Sequence, residues 1–418
     1  MKKLNLFYIT YSLLVSSLII FLIFNNSLYF YINPITLDSE IVRYGDWKTI
    51  PDSIICFKQG IDIYSTNPCD VGGRLYIYGK IFLYLPYVEE YYFFYSVVIP
   101  SILIIVTIFI INYLLNVFDY KKVFLSLLIL FSTPVMLLFE RANLELLLFI
   151  IFFLVASIKN NFFIHLLLYL STSIKYYPIC AGIIFLEKKL NLKSILNILL
   201  FTVISLSIIF LHFSEIMKVI DRKDLINPTT VENVGIIIFS FHVFPELFKS
   251  VFEHIGIFNY INIKNIIYFF QITIYLILIF ILFNFLDKQK ILINEKFPFN
   301  EKLFLISSII TIVIFFLNMN YSYKEIYLIG LFPYINNGIN RNIKFYKIFK
   351  NILLFKFVLL TVFWVIQTTF FEYSIFLKGA NILIKNLTDN IIIIILIVFI
   401  LRFLYEFIKN NFIRPKRV

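Results

Sequence analysis

Leu137-Leu138-Phe139-Glu140-Arg141-Ala142-Asn143-Leu144-Glu145-Leu146-Leu147 sets four polar side chains between two strongly apolar runs, 123–139 and 144–157. Apolar stretches of this kind, bounded by polar clusters, read as membrane helices. A charge at the end of such a helix is costly unless it has a partner or a task. About thirty residues later comes Ser173-Ile174-Lys175-Tyr176-Tyr177-Pro178. Two clusters of this type on one side of a membrane point to a site for a charged ligand at the bilayer surface.

Composition agrees. The chain has 418 residues, 61% of them hydrophobic and only 15% charged. Its mean hydropathy is +0.89. A soluble domain cannot hide that much apolar surface, so the expectation is an all-α integral membrane protein. The net charge of +12 does not indicate nucleic acid, because the basic residues gather in short loops between apolar runs, as the positive-inside rule requires.

About twelve membrane segments are expected, near 7–24, 93–116, 123–139, 144–157, 162–174, 177–187, 194–212, 264–286, 303–318, 325–336, 351–370 and 389–407. Several are short for the roughly 20 residues that a crossing needs. Met1-Lys2-Lys3 and Arg414-Pro415-Lys416-Arg417 place both ends in the cytoplasm, with the first helix uncleaved. The basic loops at Lys121-Lys122, Lys159, Glu187-Lys188-Lys189, 288–302 and 341–350 share that side. The long first loop 25–92, the clusters 140–145 and 175–178, and the segments 213–263, 318–325 and 371–388 then fall outside. The chain is read as one membrane domain, 1–418, in a plasma (inner) membrane. Within 213–263, the stretches 235–244 and 248–260 look amphipathic.

The first loop carries Arg43-Tyr44-Gly45-Asp46-Trp47, Gly60-Ile61-Asp62-Ile63-Tyr64, Asn67-Pro68-Cys69-Asp70 and Gly73-Arg74, then Tyr76-Ile77-Tyr78-Gly79. This mixture of Asp, Gly, Pro, Asn and Tyr forms turns and polar pockets. An Asp just after a first membrane helix suits a general base toward a hydroxyl, and the loop offers Asp38, Asp46, Asp62 and Asp70. Arg141 offers bidentate bonds to phosphate; its plainer reading is an ion pair with Glu140 or Glu145. Lys175 and Lys324 are further phosphate ligands, or lysines that snorkel to the interface. Cys56 and Cys69 share the loop and form a disulfide or remain two thiols. His165, His212, His242 and His254 show no ligand spacing, so no metal is expected.

The order of these motifs resembles the first loop of family eighty-seven glycosyltransferases, polytopic GT-C enzymes that use polyprenyl-phosphate sugars. Phe139 to Glu145 is similar to that family's E-R-G-N-x-D element, with Ala142 and Glu145 as departures. Lys175 to Pro178 is similar to its K-x-Y/F-P element. Asn320-Tyr321-Ser322-Tyr323-Lys324 is similar to its late Y-R element, with Lys for Arg, and Ile77-Tyr78-Gly79 stands where the family usually has N-Y-P. The resemblance implies a GT-C-like helical bundle, with Asp46 as base and Arg141, Lys175 and Lys324 on the donor phosphate. Asn143, Glu145, Tyr177, Tyr323, Asp62, Asp70 and Arg74 are the pocket candidates. The implied partners are a polyprenyl-phosphate sugar, a lipid- or glycan-linked acceptor and membrane lipids, with no cofactor and no nucleic acid. Another envelope polysaccharide enzyme, such as a polymerase or ligase of lipid-linked glycans, and a transporter or flippase are the alternatives.

Overall fold

The computed structural model describes residues 6–25, 43–118, 122–186, 192–220, 238–243, 245, 260–288, 298–317, 320–341, 343–370 and 375–413. The regular structure among them is helical, apart from a two-residue antiparallel ladder of β1 (Ile238–Phe239) and β2 (Asn320–Tyr321). Among the described residues, six helical stretches are long and apolar enough to cross a membrane: Leu6–Phe24, Phe94–Leu114, Ser194–Leu211, Asn265–Leu286, Phe299–Leu317 and Ile382–Ile413. A bent pair makes a seventh if counted as one span. By length and composition these are helices of the kind that membrane proteins use.

The chain clusters into two compact units. One comprises Met1–Ile179 with Leu200–Lys223, the other Cys180–Leu199 with Asp224–Val418.

In the first unit, α1 (Leu6–Phe24) packs on α3 (Ile99–Leu114), and α3 packs on α6 (Glu145–Ser157). A polar knot ties α1 and α3 to α4 (Val123–Leu130). Asn112 donates to Ser12 Oγ at 3.0 Å, Ser126 Oγ donates to Asn112 Oδ1 at 2.5 Å, and Tyr11 donates to Ser126 Oγ at 3.1 Å. Side-chain bonds of this kind between helices replace the hydrophobic drive that lipid does not supply. The helix α5 (Thr133–Arg141) leaves α4 at 59°. Ser132 between them is extended, and Pro134 lacks the N–H that a continuous helix would use. The bend ends on Arg141.

The next two helices form a hairpin of short elements. They are α6, 13 residues, and α7 (Asn161–Ile174), 14 residues. Asn160 caps α7 by accepting from Phe162 N at 2.9 Å. At about 1.5 Å per residue each covers roughly 20 Å, less than a bilayer core of about 30 Å. The expected span 177–187 is a nine-residue 3-10 helix, Tyr177–Phe185.

The described part of the expected first outer loop, residues 43–92, is a folded subassembly. Within it lies α2 (Gly45–Lys58), which packs on α5 and on a short 3-10 turn at Lys80–Tyr84. A disulfide joins Cys56 to Cys69. The rings of Tyr64, Tyr76 and Tyr78 meet edge to face. Gly79 N donates to Ile174 O at 3.0 Å, fastening the loop to the end of α7.

After α8 (Leu192–Leu211) and α9 (Phe213–Ile220) come the helices of the second unit. They are α10 (Tyr260–Lys288), α11 (Phe299–Leu317), α12 (Phe332–Asn340), α13 (Lys344–Phe370) and α14 (Ile375–Ile408). Two expectations change here. The span 325–336 is a 3-10 segment, Ser322–Leu331, followed by α12, which has Pro333 in its first turn. The outer loop expected at 371–388 is largely the start of α14, a 34-residue helix. Of the amphipathic stretches, residues 238–243 are described and 248–259 lie outside the described residues.

Candidate functional site

Three elements of the first unit converge on Asp46. The residue lies in the first turn of α2. Tyr44, just before it, has left-handed φ and ψ of 56° and 36°, and its N–H donates to Glu140 O at 2.8 Å. That bond anchors the start of α2 to the end of α5. Ala142, just after Arg141, is also left-handed, φ 46° and ψ 47°, and turns the chain from α5 toward α6. Two non-glycine residues in this costly region therefore flank the meeting point.

Arg141 gives Asp46 Oδ1 both Nε at 2.8 Å and Nη2 at 2.6 Å. Asn143 Nδ2 donates to Asp46 Oδ2 at 2.7 Å. Its Oδ1 accepts from Lys175 Nζ and from Glu145 N, each at 3.2 Å. Donors on one side and a carboxylate on the other fix which way the amide points. Lys175 Nζ continues to Glu145 Oε1 at 2.6 Å, and Tyr177 OH donates to Glu145 Oε2. The Tyr78 ring lies 5.4 Å from Lys175 Nζ. A single chain of polar contacts thus runs Asp46–Asn143–Lys175–Glu145–Tyr177, with Arg141 on the first carboxylate.

The group is largely withdrawn from solvent: Glu145 is fully buried, and the side chains of Asp46, Arg141 and Lys175 are 11–14% exposed. Burial alone would push the Asp46 carboxyl up. The Arg141 charge, the bonds from Arg141 and Asn143, and the Arg74 charge outweigh it and hold the carboxyl below its ordinary range. Asp46 is therefore an anion at neutral pH. Tyr78 moves the other way, raised by burial and then by the charges of Asp46 and Glu145.

Arg74 flanks this cluster. It forms a double bond pair with Asp70, Nε to Oδ2 at 3.0 Å and Nη2 to Oδ1 at 2.7 Å. A Cβ on Gly45 would stand 2.7 Å from Arg74 Nη1. A side chain at this position would make the Arg74 guanidinium shift.

Of the rival bases, Asp70 is locked by Arg74 and also accepts from Thr49 at 3.2 Å and Gly72 N at 3.0 Å. Asp62 accepts from Tyr64 N and Ser65 Oγ in its own turn and pairs with Lys218 at 2.9 Å, well exposed. Asp38 lies outside the described residues. The partner of Arg141 weighed from the sequence was Glu140 or Glu145; the structure adds Asp46, 95 residues away in sequence.

Tyr323 and Lys324 belong to the second unit, at the start of the Ser322–Leu331 segment. The neighbouring Glu325 enters a ring of charges that sequence reading missed. Lys356 Nζ lies 3.1 Å from Glu325 Oε2 and also meets Asp389 Oδ1. Lys385 Nζ lies 2.7 Å from Asp389 Oδ2 and 3.6 Å from Glu325 Oε1. None of the four side chains is more than 2% exposed. The available signal was Lys385 and Asp389 at i, i+4 beside a long apolar run. Among the described residues, no group of three or more His, Cys, Asp or Glu side chains is placed to hold a metal ion.

Comparison brings no relative to this geometry. No family model, curated protein or solved structure matches the chain.

Proposed function

We propose that the chain is an integral-membrane glycosyltransferase. It moves a hexose, mannose-like or other, from a polyprenyl-phosphate donor to a lipid- or glycan-linked acceptor on the outer face of the membrane. The observation that supports this reading is the junction of a carboxylate, Asp46, with two cations, Arg141 and Lys175, at the end of a bent apolar helix pair. The order of sequence motifs resembling family eighty-seven glycosyltransferases supports it. The reading rests on first-unit groups. About twelve crossings, counting the short helices, with both termini cytoplasmic, complete the proposal.

In the reaction, Asp46 takes the proton of the acceptor hydroxyl. The hydroxyl oxygen bonds to the anomeric carbon, the bond from that carbon to the phosphate oxygen breaks, and the electron pair leaves on the phosphate. A single displacement inverts the anomeric centre. Arg141 and Lys175 stabilise the charge that grows on the phosphate. At rest the four charges of Asp46, Arg141, Lys175 and Glu145 sum to zero, so an arriving phosphate competes with Asp46 for Arg141. That competition loosens the ion pair and makes Asp46 a stronger base when the donor is in place.

The test supplies polyprenyl-phosphate mannose and polyprenyl-phosphate glucose, with a membrane lipid and glycan extract as acceptor, to the purified protein in liposomes. Asp46→Asn is expected to lower transfer by about 10²–10⁴ fold while donor binding persists. Arg141→Lys is expected to lose more turnover than donor affinity, because the leaving phosphate is more negative than the bound one. Full turnover in Asp46→Asn sinks the assignment. A second reading, a transporter of lipid-linked sugars, is favoured by the buried ring, since charges within membrane helices mark substrate or ion paths. Movement of labelled donor across the bilayer without any glycoside product would select it.

A further inference from the structure

The α2 helix brings together a second pair of cations that the reaction leaves unused. Gly45, Lys48, Thr49 and Asp52 stand three and four residues apart, so they share one face of the helix. The segment that follows the disulfide lies along that face. Thr49 donates to Asp70 Oδ1 at 3.2 Å, and Arg74 Nη1 stands 2.7 Å from where a Cβ of Gly45 would be. Asp46 is the next residue round the helix, and the Arg74 charge contributes to keeping its carboxyl ionised.

Both cations have hydrogens to spare. Arg74 commits Nε and Nη2 to Asp70, and its Nη1 has no acceptor among the described residues. For Lys48 the plainer partner is Asp52, at i, i+4. That pair is not formed. Asp52 Oδ1 accepts instead from Tyr92 OH at 2.8 Å, and among the described residues no carboxylate lies within ion-pair distance of Lys48 Nζ. Neither nitrogen is sealed from solvent: Lys48 is half-buried, and the Arg74 side chain is 28% exposed.

Burial lowers the Lys48 ammonium from the ordinary lysine value; the Asp52 charge opposes this, and the Arg74 charge adds to it. Two like charges that press on each other are relieved by an anion between them. A phosphate suits the pair, because the guanidinium gives directed hydrogen bonds and the ammonium a mobile point charge. In the proposed reaction the donor phosphate claims Arg141 and Lys175, so an anion against Gly45 and Lys48 is a different group.

We propose that Arg74 and Lys48 form a second phosphate subsite beside Asp46, separate from the donor phosphate site. The assignment of that phosphate to a substrate rests on the transferase reading: it belongs to a phosphate-bearing acceptor lipid or to the second phosphate of a diphosphate donor.

The test reads the Lys48 amine itself, in the full-length protein in micelles. Acetylation by limiting acetic anhydride at pH 8 is followed at Lys48 by peptide mass spectrometry; an amine desolvated by burial reacts readily. Dihexanoyl-phosphatidylglycerol is expected to slow the reaction about tenfold at saturation. An anion favours the charged ammonium, and about 1.4 kcal/mol of that preference cuts the free amine tenfold. A glucosyl dihexanoylglycerol, which has no phosphate, is expected to leave the rate unchanged. Geranyl diphosphate forms the donor arm, and protection by it alone assigns the phosphate to the donor. Arg74→Lys keeps a cation for Asp70 but removes the outer guanidinium nitrogen, and is expected to raise the half-protecting concentration about tenfold. No protection by either phosphate compound, equal protection by the neutral lipid, no effect of Arg74→Lys, or a Lys48 that fails to react without ligand overturns the proposal. Protection without any sugar transfer keeps the subsite and removes the transferase reading; transfer without protection does the reverse.

Discussion

Ala142 holds the left-handed conformation at the turn that follows Arg141, with its N–H bonded to Phe139 O at 3.2 Å. For a residue with a Cβ this conformation costs about 1–2 kcal/mol, a cost that glycine does not bear. The pattern of the proposed family carries glycine at this place, and the geometry gives a physical reason for it. Ala142→Gly is therefore expected to raise stability by about 1 kcal/mol, read as a higher thermal midpoint of the purified protein. An unchanged or lower midpoint would show that no strain is stored there. Arg141 was legible as a functional cation because it interrupts an apolar run, but its partner was not. Local spacing offered Glu140 and Glu145; the carboxylate that meets its guanidinium comes from α2, and only tertiary packing brings the two together.

Elements were legible where an apolar run was long. The expected spans at 7–24, 93–116, 194–212, 264–286 and 303–318 fall on α1, α3, α8, α10 and α11. The sequence hid α2, because Gly45, Asp46, Pro51 and Asp52 give it the composition of a loop. It also hid the start of α14, where Lys385, Asn386 and Asp389 look like an outer loop but pair among themselves and with neighbouring helices. The junction between the loop and α7 shows how tightly such elements meet. A Cβ at Gly79 would lie 1.7 Å from Ser173 O and 2.8 Å from Ser173 C, both backbone atoms. Gly79→Ala must push the Tyr76–Gly79 turn off α7, one residue before the turn to Lys175. The expected result is a loss of about 1–3 kcal/mol in stability, as in overpacked cores, with reduced sugar transfer. A thermal midpoint equal to that of the parent protein would argue against this close approach.

At the scale of the whole molecule, the proposed chemistry requires one face. Val71, beside Asp70, is 87% exposed, and Lys159 between α6 and α7 is exposed as well. With Cys180→Ser in the background, Val71→Cys is expected to react with an impermeant maleimide on intact cells, and Lys159→Cys only after permeabilisation. The opposite pattern would remove the outer-face site. The ring of Glu325, Lys356, Lys385 and Asp389 bears on how the protein is made. A bare charge carried into the bilayer is costly, up to about 2.5–3.5 kcal/mol at a helix centre on insertion scales. Lys385 and Asp389 can mask each other within α14, but Lys356 enters on α13 before either has been synthesised. Until α14 arrives, Glu325 is the one member of the ring already present to neutralise it. Maturation of the second unit therefore waits on its last helix, and a chain cut short before residue 375 is left with half of a charge square and a natural target for membrane quality control.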